Sequence, residues 1–520
     1  MPRRPVDPCV VSAAAMLLLA LGCRDRDAPM GETESATDGS EGASDSEPGS
    51  DTGATACVAG ETRPCYEGPP GTQGLGICRA GEQSCAADGS GWLACEEQVQ
   101  PEPAELCQTP QDDDCDGTPS CEPVVSWWQQ FPASALQAVI DAEGHLVIAG
   151  VAGFGELQGV ELEGFFLLEL DETGELLWHR PVGDGSSMSF AGLMVDDDGS
   201  ITIAGYYEGE PDFGGGPLPP GGFATAYMAR YDGDGEHRWS RSEDFSSITG
   251  LTRDRDGTLV VVGRDEDFDP EGYYERLIVA GHDPEQGLPQ WTLEGTGIGG
   301  LFDAGMSIVA TEAGELVVAA VMGPDGSTAP TIAGTPIELL EYGPLLLRLD
   351  RVSGLLGQRA PYEEAPQGLS NPRLFTRPGG TLELVSNAYG GGLGQTIILS
   401  RYDAGLEPLG EVRLGDDAWA SGAAPSPDGT TVLGVAFSGE LELGPIGVGL
   451  PTFGPGLAIA AVDEHGNGRW VEPLYQDSFL ELGTLAVGAD GQVAVMATVS
   501  GAATLAGELV YGSFLAVLHP

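Results

Sequence analysis

The chain has 520 residues and carries 80 Asp and Glu against 22 Lys and Arg, a formal net charge of −58. That balance excludes ordinary nucleic-acid binding, because phosphate contacts need clustered Lys and Arg. It suits a solvated protein outside the cell that meets divalent cations or basic partners. With 80 Gly and 38 Pro, long helices are disfavoured and turns between short strands are expected.

Residues 1–22 have the outline of a signal peptide: Arg3 and Arg4 precede the apolar run VVSAAAMLLLALG, which is too short to span a membrane as a mature helix. The run ends in Leu19-Ala20-Leu21-Gly22-Cys23, which resembles a bacterial lipobox. The resemblance implies that Cys23 takes a diacylglycerol and becomes the mature N-terminus. No later segment is long and apolar enough to cross a bilayer, so the expected anchor is acyl chains alone. After Cys23, the stretch to residue 56 is Asp, Glu, Ser, Gly and Thr with almost nothing to bury. Such a composition predicts a disordered acidic linker over 23–56, a spacer between membrane and domain.

Eight cysteines fall in the next segment, 57–123: Cys57, Cys65, Cys78, Cys85, Cys95, Cys107, Cys115 and Cys121. An even cluster in an exported chain predicts a disulfide framework, since so short a segment builds little core of its own. Zinc is the competing reading, but no pair has C-x-x-C spacing and no His lies nearby. Connectivity does not follow from the sequence. Within this module Asp112, Asp114 and Asp116 sit two apart with Gly117 following, the D-x-D-x-D-G opening of a calcium loop. Pro123 stands where an EF-hand would place its Glu, and a solvated acidic turn beside a disulfide is the alternative to bound Ca2+. The surrounding GICRAGEQSC, PAELC and DDDCDG segments resemble the Cys-rich metal-binding motif of secreted myxobacterial-type proteins, although TPSC stands where that motif continues with a Gly-rich acidic stretch.

From residue 124 to the C-terminus one unit recurs, most clearly in Phe190 to Trp239. An alternating strand meets an acidic turn, a second strand follows (SITIAG), then a Gly- and Pro-rich loop, a third strand (ATAYMARYD), another turn and a fourth strand (EHRWSRS). The first turn ends in Gly144, Gly199, Gly257, Gly314, Gly380, Gly429 and Gly491, spaced on average somewhat under 60 residues. A fourth-strand Trp recurs as Trp178, Trp239, Trp291 and Trp470. The last copy stops after a third strand, SFLAVLHP, while VVSWWQQF (124–131) stands alone before the first. An N-terminal strand that completes the last blade would close the ring and hide its edges. The expected fold of 124–520 is therefore an all-β, seven-bladed β-propeller of four-stranded blades, closed by an N-terminal strand.

The pattern A-x-x-x-D-x-x-G-x-x-x-x-A-G, a spacer containing D-F, and a strand ending in L-D-x-x-G-x-x-x-W resembles bacterial seven-bladed propeller repeats of the SBBP kind. LDETGELLW is also similar to the repeat of quinoprotein-type propellers, including the lipoprotein scaffold of outer-membrane barrel assembly. LDRVSGLLGQ and YDAGLEPLGE depart from it in lacking the Trp. The resemblance implies the fold and leaves function open, because propellers host unrelated activities.

Catalytic chemistry finds little support. The six histidines lack metal-ligand spacing, no G-x-S-x-G elbow is present, and the mature chain's cysteines are the anchor and the bridged set. Acidic turns such as Asp196-Asp197-Asp198-Gly199 sit at hairpin tips, where Asp and Gly are favoured by turn geometry alone. The reading is a non-enzymatic, monomeric lipoprotein of the outer membrane, facing the surface or the periplasm, that binds an envelope protein or a polysaccharide. Alternatives are a propeller enzyme (polysaccharide lyase, hydrolase or quinoprotein) and an outer-membrane assembly scaffold. The loops at about 209–222 and 264–276 are candidate contact surfaces.

Overall fold

A computed structural model describes residues 57–102, 112–115, 117 and 123–519, except short connections at 184–186, 270–271, 300–305, 325–328, 339–342, 361–367, 391–392, 445, 450–454, 475–479 and 506–507. Cys23, Cys107, Asp116 and Cys121 lie outside the described residues. Among those described, no helix is long and apolar enough to cross a membrane.

Residues 134–519 form seven four-stranded antiparallel blades, at 134–182, 187–242, 247–299, 306–359, 368–414, 418–474 and 480–519. The seventh supplies only three strands of its own. Its outer strand is Val124–Gln130, paired antiparallel with Glu508–His519 so that Trp127 faces Val517 and Trp128 faces Ala516. The closing strand expected from VVSWWQQF is therefore in place. All seven first-turn glycines have φ between +78° and +91°, the left-handed conformation that favours Gly.

The core lies between blades rather than within them. Seven apolar clusters each join consecutive blades, for example Leu157, Leu162 and Phe166 of blade 1 with Leu515 and Val517 of blade 7. This follows from strand periodicity: inner-half strands such as LVIAG are apolar on both faces and so must be covered by neighbours on both sides.

Three interfaces repeat one arrangement. Trp127, Trp178 and Trp239 follow a bulge in the outer strand, opposite Val517, Glu169 and Arg230. Each indole N–H donates to a backbone carbonyl in a turn of the next blade: Glu172 at 2.9 Å, Gly233 at 3.1 Å and Pro284 at 2.9 Å. The rings lie on the glycines ending those turns, where a Cβ at Gly174, Gly235 or Gly287 would come within 2.8, 2.7 or 2.6 Å of the ring. Two residues further along, Gln129, Arg180 and Arg241 donate to the carbonyls of Gly174, Asp234 and Gln286 in the same turns.

Where the Trp is missing, other chemistry takes its place. Gly357 and Gly410 stand at its position in blades 4 and 5, opposite Arg348 and Arg401. These arginines reach the next blade's turn instead, to the Ala404 carbonyl at 3.5 Å and the Glu464 carboxylate at 2.6 Å. Between blades 3 and 4 the Trp291 indole nitrogen makes no hydrogen bond. A small hairpin of blade 4, Thr331–Ile332 and Thr335–Pro336, instead pairs with the outer strand of blade 3 and merges the two blades into one sheet.

The loops between second and third strands pack inward more than sequence patterning suggested. Buried apolar residues recur five apart: Leu157 and Leu162, Phe213 and Leu218, Ile332 and Ile337, Leu443 and Val448, Leu505 and Val510. Each pair joins the cluster shared with the preceding blade. At two of them, Gln158-Gly159 and Ala333-Gly334, both turn residues have positive φ, as a type I′ hairpin requires. Phe213, in the loop at 209–222, is stacked 4.6 Å from Tyr227 rather than offered to solvent.

The upstream module holds two short paired strands, Thr62–Cys65 and Gly81–Ser84, and three disulfides: Cys57–Cys85, Cys65–Cys95 and Cys78–Cys115. Closing loops of 28, 30 and 37 residues, each contributes about 3–4 kcal/mol in the chain-entropy treatment.

Two measurements check these contacts. Deleting 124–130 removes two half-buried tryptophans, so it is expected to lower stability by at least ~2–3 kcal/mol and to cause aggregation through the freed edge of Glu508–His519. An unchanged melting temperature would show the ring does not need that strand. Gly199→Ala and Gly235→Ala both place a side chain at positive φ, but only the second also meets an indole. The expected losses are about 1–2 kcal/mol for Gly199→Ala and about 2–4 kcal/mol for Gly235→Ala. Equal losses would remove the Trp docking as a source of stability.

Candidate functional site

The innermost strands of the blades line a central channel. Five of them carry a bulge at an equivalent point, between Ala135 and Gln137, Ile248 and Gly250, Ser370 and Arg373, Ala420 and Gly422, and Leu482 and Thr484. In blade 2 the inner strand is broken into Ser187–Met188 and Gly192–Val195. Glycine in the second strand makes room for the displaced backbone: a Cβ at Gly205 or Gly263 would collide with the carbonyl oxygen of Ser189 or Ser247. The bulges turn polar groups and carbonyls toward the axis. Two bulge hydroxyls tie back, Thr249 donating to Val262 O at 3.3 Å and Ser421 to Gly434 O at 3.1 Å.

Inner strands of blades 1 to 5 enclose a cavity of about 530 Å3. Gln137, Ser189, Tyr206, Thr249, Ser307 and Arg373 supply its polar groups, and Phe190, Leu193, Leu251 and Ile308 its apolar ones. The Ser189 hydroxyl accepts from the Tyr206 amide and the Ser307 hydroxyl from the Leu374 amide, both at 3.2 Å, which leaves each O–H able to donate inward. Arg373 is exposed, and its Nη2 donates to the Ser421 carbonyl at 3.3 Å. Desolvation within the ring holds its guanidinium below the ordinary arginine pKa.

A second cluster lies at the first turn of blade 1, where Asp141, His145 and Glu169 bring ligand atoms within 4.8 Å of one another. Its polar groups are already engaged. Glu169 accepts from His145 Nδ1 and from Trp178 Nε1, both at 2.7 Å, and Asp141 Oδ1 accepts the amides of Glu143 and His145. Burial works against the charged imidazole, but the Glu169 hydrogen bond and the charges of Asp141, Glu169 and Glu172 outweigh it and raise the His145 pKa. Burial in turn raises that of Glu169. The arrangement is a hydrogen-bonded acid–imidazole clamp on a turn, and a metal would have to break it.

The acidic turn of the disulfide module is built differently. Asp112 and Asp113 are buried and Asp114 is half-buried. Asp112 Oδ2 accepts the Gly117 amide at 3.0 Å, while Oδ1 is buried without a hydrogen-bond partner. The turn is held by Cys78–Cys115 and by the Ile77 amide donating to Asp112 O at 3.0 Å. A buried carboxylate oxygen facing no donor is a costly arrangement that a cation would relieve.

Of the residues the sequence singled out, Cys57, Cys65, Cys78, Cys85, Cys95 and Cys115 are bridged, and Asp112 and Asp114 share one turn. The channel polar groups went unforeseen. Gln137, Tyr206 and Arg373 carry no motif, and only their place beside a bulge turns them inward.

Comparison with family models and with curated proteins finds no match. Among solved structures, the chain is similar to the C-terminal WD40 domain of Sif2, with 12% identity, TM-score 0.39, and coverage of 76% of this chain and 99% of that one. It is similar to an ulvan lyase of polysaccharide lyase family PL25, with 8% identity, TM-score 0.40, and coverage of 75% and 96%. A Dyadobacter fermentans protein of unknown function gives 13% identity, TM-score 0.35, and coverage of 64% and 95%. All are distant likenesses, and no activity is carried over from them.

Proposed function

We propose that this chain is an exported lipoprotein, acylated at Cys23, that holds a non-enzymatic binding propeller at the outer membrane and takes an envelope protein or polysaccharide as ligand. The observation that carries the binding role is the 530 Å3 channel cavity, whose size lies in the range of small-ligand pockets and whose described lining residues bring several donors together. Three disulfides in the upstream module support an oxidising compartment. The lipobox-like Cys23 and the acidic stretch to residue 56 support a tethered, spaced display.

The acidic turn at Asp112, Asp114 and Asp116 is proposed as a Ca2+ site that stiffens the module. The partnerless Oδ1 of Asp112 supports it. Calcium would supply charge neutralisation and hold the turn, with no part in a reaction.

Two experiments bear on this reading. The wild-type chain is expected in the membrane fraction with a lipid-sized mass increment on its N-terminal peptide, and Cys23→Ser is expected in the soluble fraction without it. A Cys23→Ser protein that keeps both membrane partitioning and lipid mass would remove the anchor. Titration of the oxidised mature protein with Ca2+ should give saturable heat that Asp112→Asn reduces at least tenfold in affinity. Absence of heat at millimolar Ca2+ would remove the metal.

A further inference from the structure

We propose that the central cavity binds a carboxylate-bearing sugar, a uronic acid unit, through the guanidinium of Arg373. This rests on the reading of the propeller as a binding module and narrows its ligand.

The first observation is an inversion of charge. The chain carries 80 acidic residues, yet among the described residues no Asp or Glu lines the cavity, and its one charged lining residue is Arg373. Most other propeller arginines are paired with carboxylates: Arg230 with Asp196 at 2.6 Å, Arg180 with Glu236 at 2.7 Å, Arg377 with Glu383 at 2.9 Å. Among the described residues Arg373 has only the neutral carbonyl of Ser421, at 3.3 Å. Its guanidinium is exposed to the channel with no carboxylate of its own beside it, a position where a ligand carboxylate could supply the counter-charge. The planar fork of guanidinium suits a bidentate carboxylate.

The second observation concerns the rest of the lining. Gln137 and Tyr206 make no side-chain hydrogen bond among the described residues, and the Ser189 and Ser307 hydroxyls have donors to spare. Four such groups around one cation suit a polyhydroxylated ligand better than a simple anion. Phe190, Leu193 and Leu251 add the apolar surface on which a sugar ring's C–H face packs. The bulge between Ser370 and Arg373 places the arginine among them, by shifting the inner strand's register against Asn387 and Val385.

The test is calorimetric titration of the mature chain with digalacturonate, with the neutral digalactose as control. Saturable binding of digalacturonate is expected, at least tenfold stronger than of digalactose. Arg373→Met is expected to weaken it at least tenfold, and Arg373→Lys less. Because Arg373→Met removes an unpaired cation, its melting temperature should not fall; if it does, Arg373→Gln replaces it in the titration. Equal binding by wild type and Arg373→Met, or no binding of digalacturonate by folded wild type, overturns the site. Arg373-dependent binding of a glutamate-rich peptide without binding of digalacturonate overturns the sugar. Capture of the same envelope partner by wild type and Arg373→Met would leave the binding role standing and remove only this site.

Discussion

Each blade of this protein is held by what its outer strand can reach on the next one. A four-stranded antiparallel sheet with two apolar faces has no core of its own, so the contact between neighbouring blades decides whether the ring exists. The chain meets that demand with interchangeable devices. An indole lies on a glycine-ended turn at Trp127, Trp178 and Trp239, an arginine reaches across at Arg348 and Arg401, and a strand-paired hairpin takes over beside Trp291. Each ties one blade's outer strand to the next blade, which is how the Trp can be absent from two copies without a change of fold.

The same demand employs several of the chain's basic residues. Every one of the 22 is arginine; there is no lysine in the sequence. Arginine's fork can donate to a carbonyl of a neighbouring turn and to a carboxylate together, as Arg180 does with Asp234 O and Glu236. Between blades 2 and 3, Asp196 is clasped by Arg230 and Arg253 at 2.6 and 2.7 Å. A buried pair of this kind ties the two blades together while adding little net stability. Between blades 5 and 6, Asn387 does the same with neutral groups, donating to Ala420 O at 2.8 Å and accepting its amide at 2.7 Å.

Much of the architecture was legible in the sequence because it rests on local rules. Gly144 and its six counterparts mark turns that require positive φ, and a stray VVSWWQQF matched the fourth strand missing from the last copy, where Val124 pairs with His519. The channel was not legible, for a reason of parity. Which side chain faces the axis depends on alternation, and one extra residue at a bulge reverses it. Nothing in GLSNPRLFT announces that two residues stand opposite one at Ser386, so nothing announces Arg373. The inward-packed loops carried a signal that drift concealed: two apolar residues five apart around a Gly-containing turn, spread over Leu, Phe, Ile and Val. The Asp112 turn lies between, its residues readable and its empty buried oxygen visible only in three dimensions.

Closing the ring with Val124–Gln130 also determines how the molecule bears force. The disulfide module joins the propeller at the first residue of that strand, so any pull through the module arrives at Val124, paired with His519. The load falls first on the strand's hydrogen bonds to Glu508–His519, then on the Trp127 indole seated over Gly174. The element that completes the ring is thus also its mechanical fuse. A pull through the module is therefore borne by the ring-closing strand before it reaches any other blade.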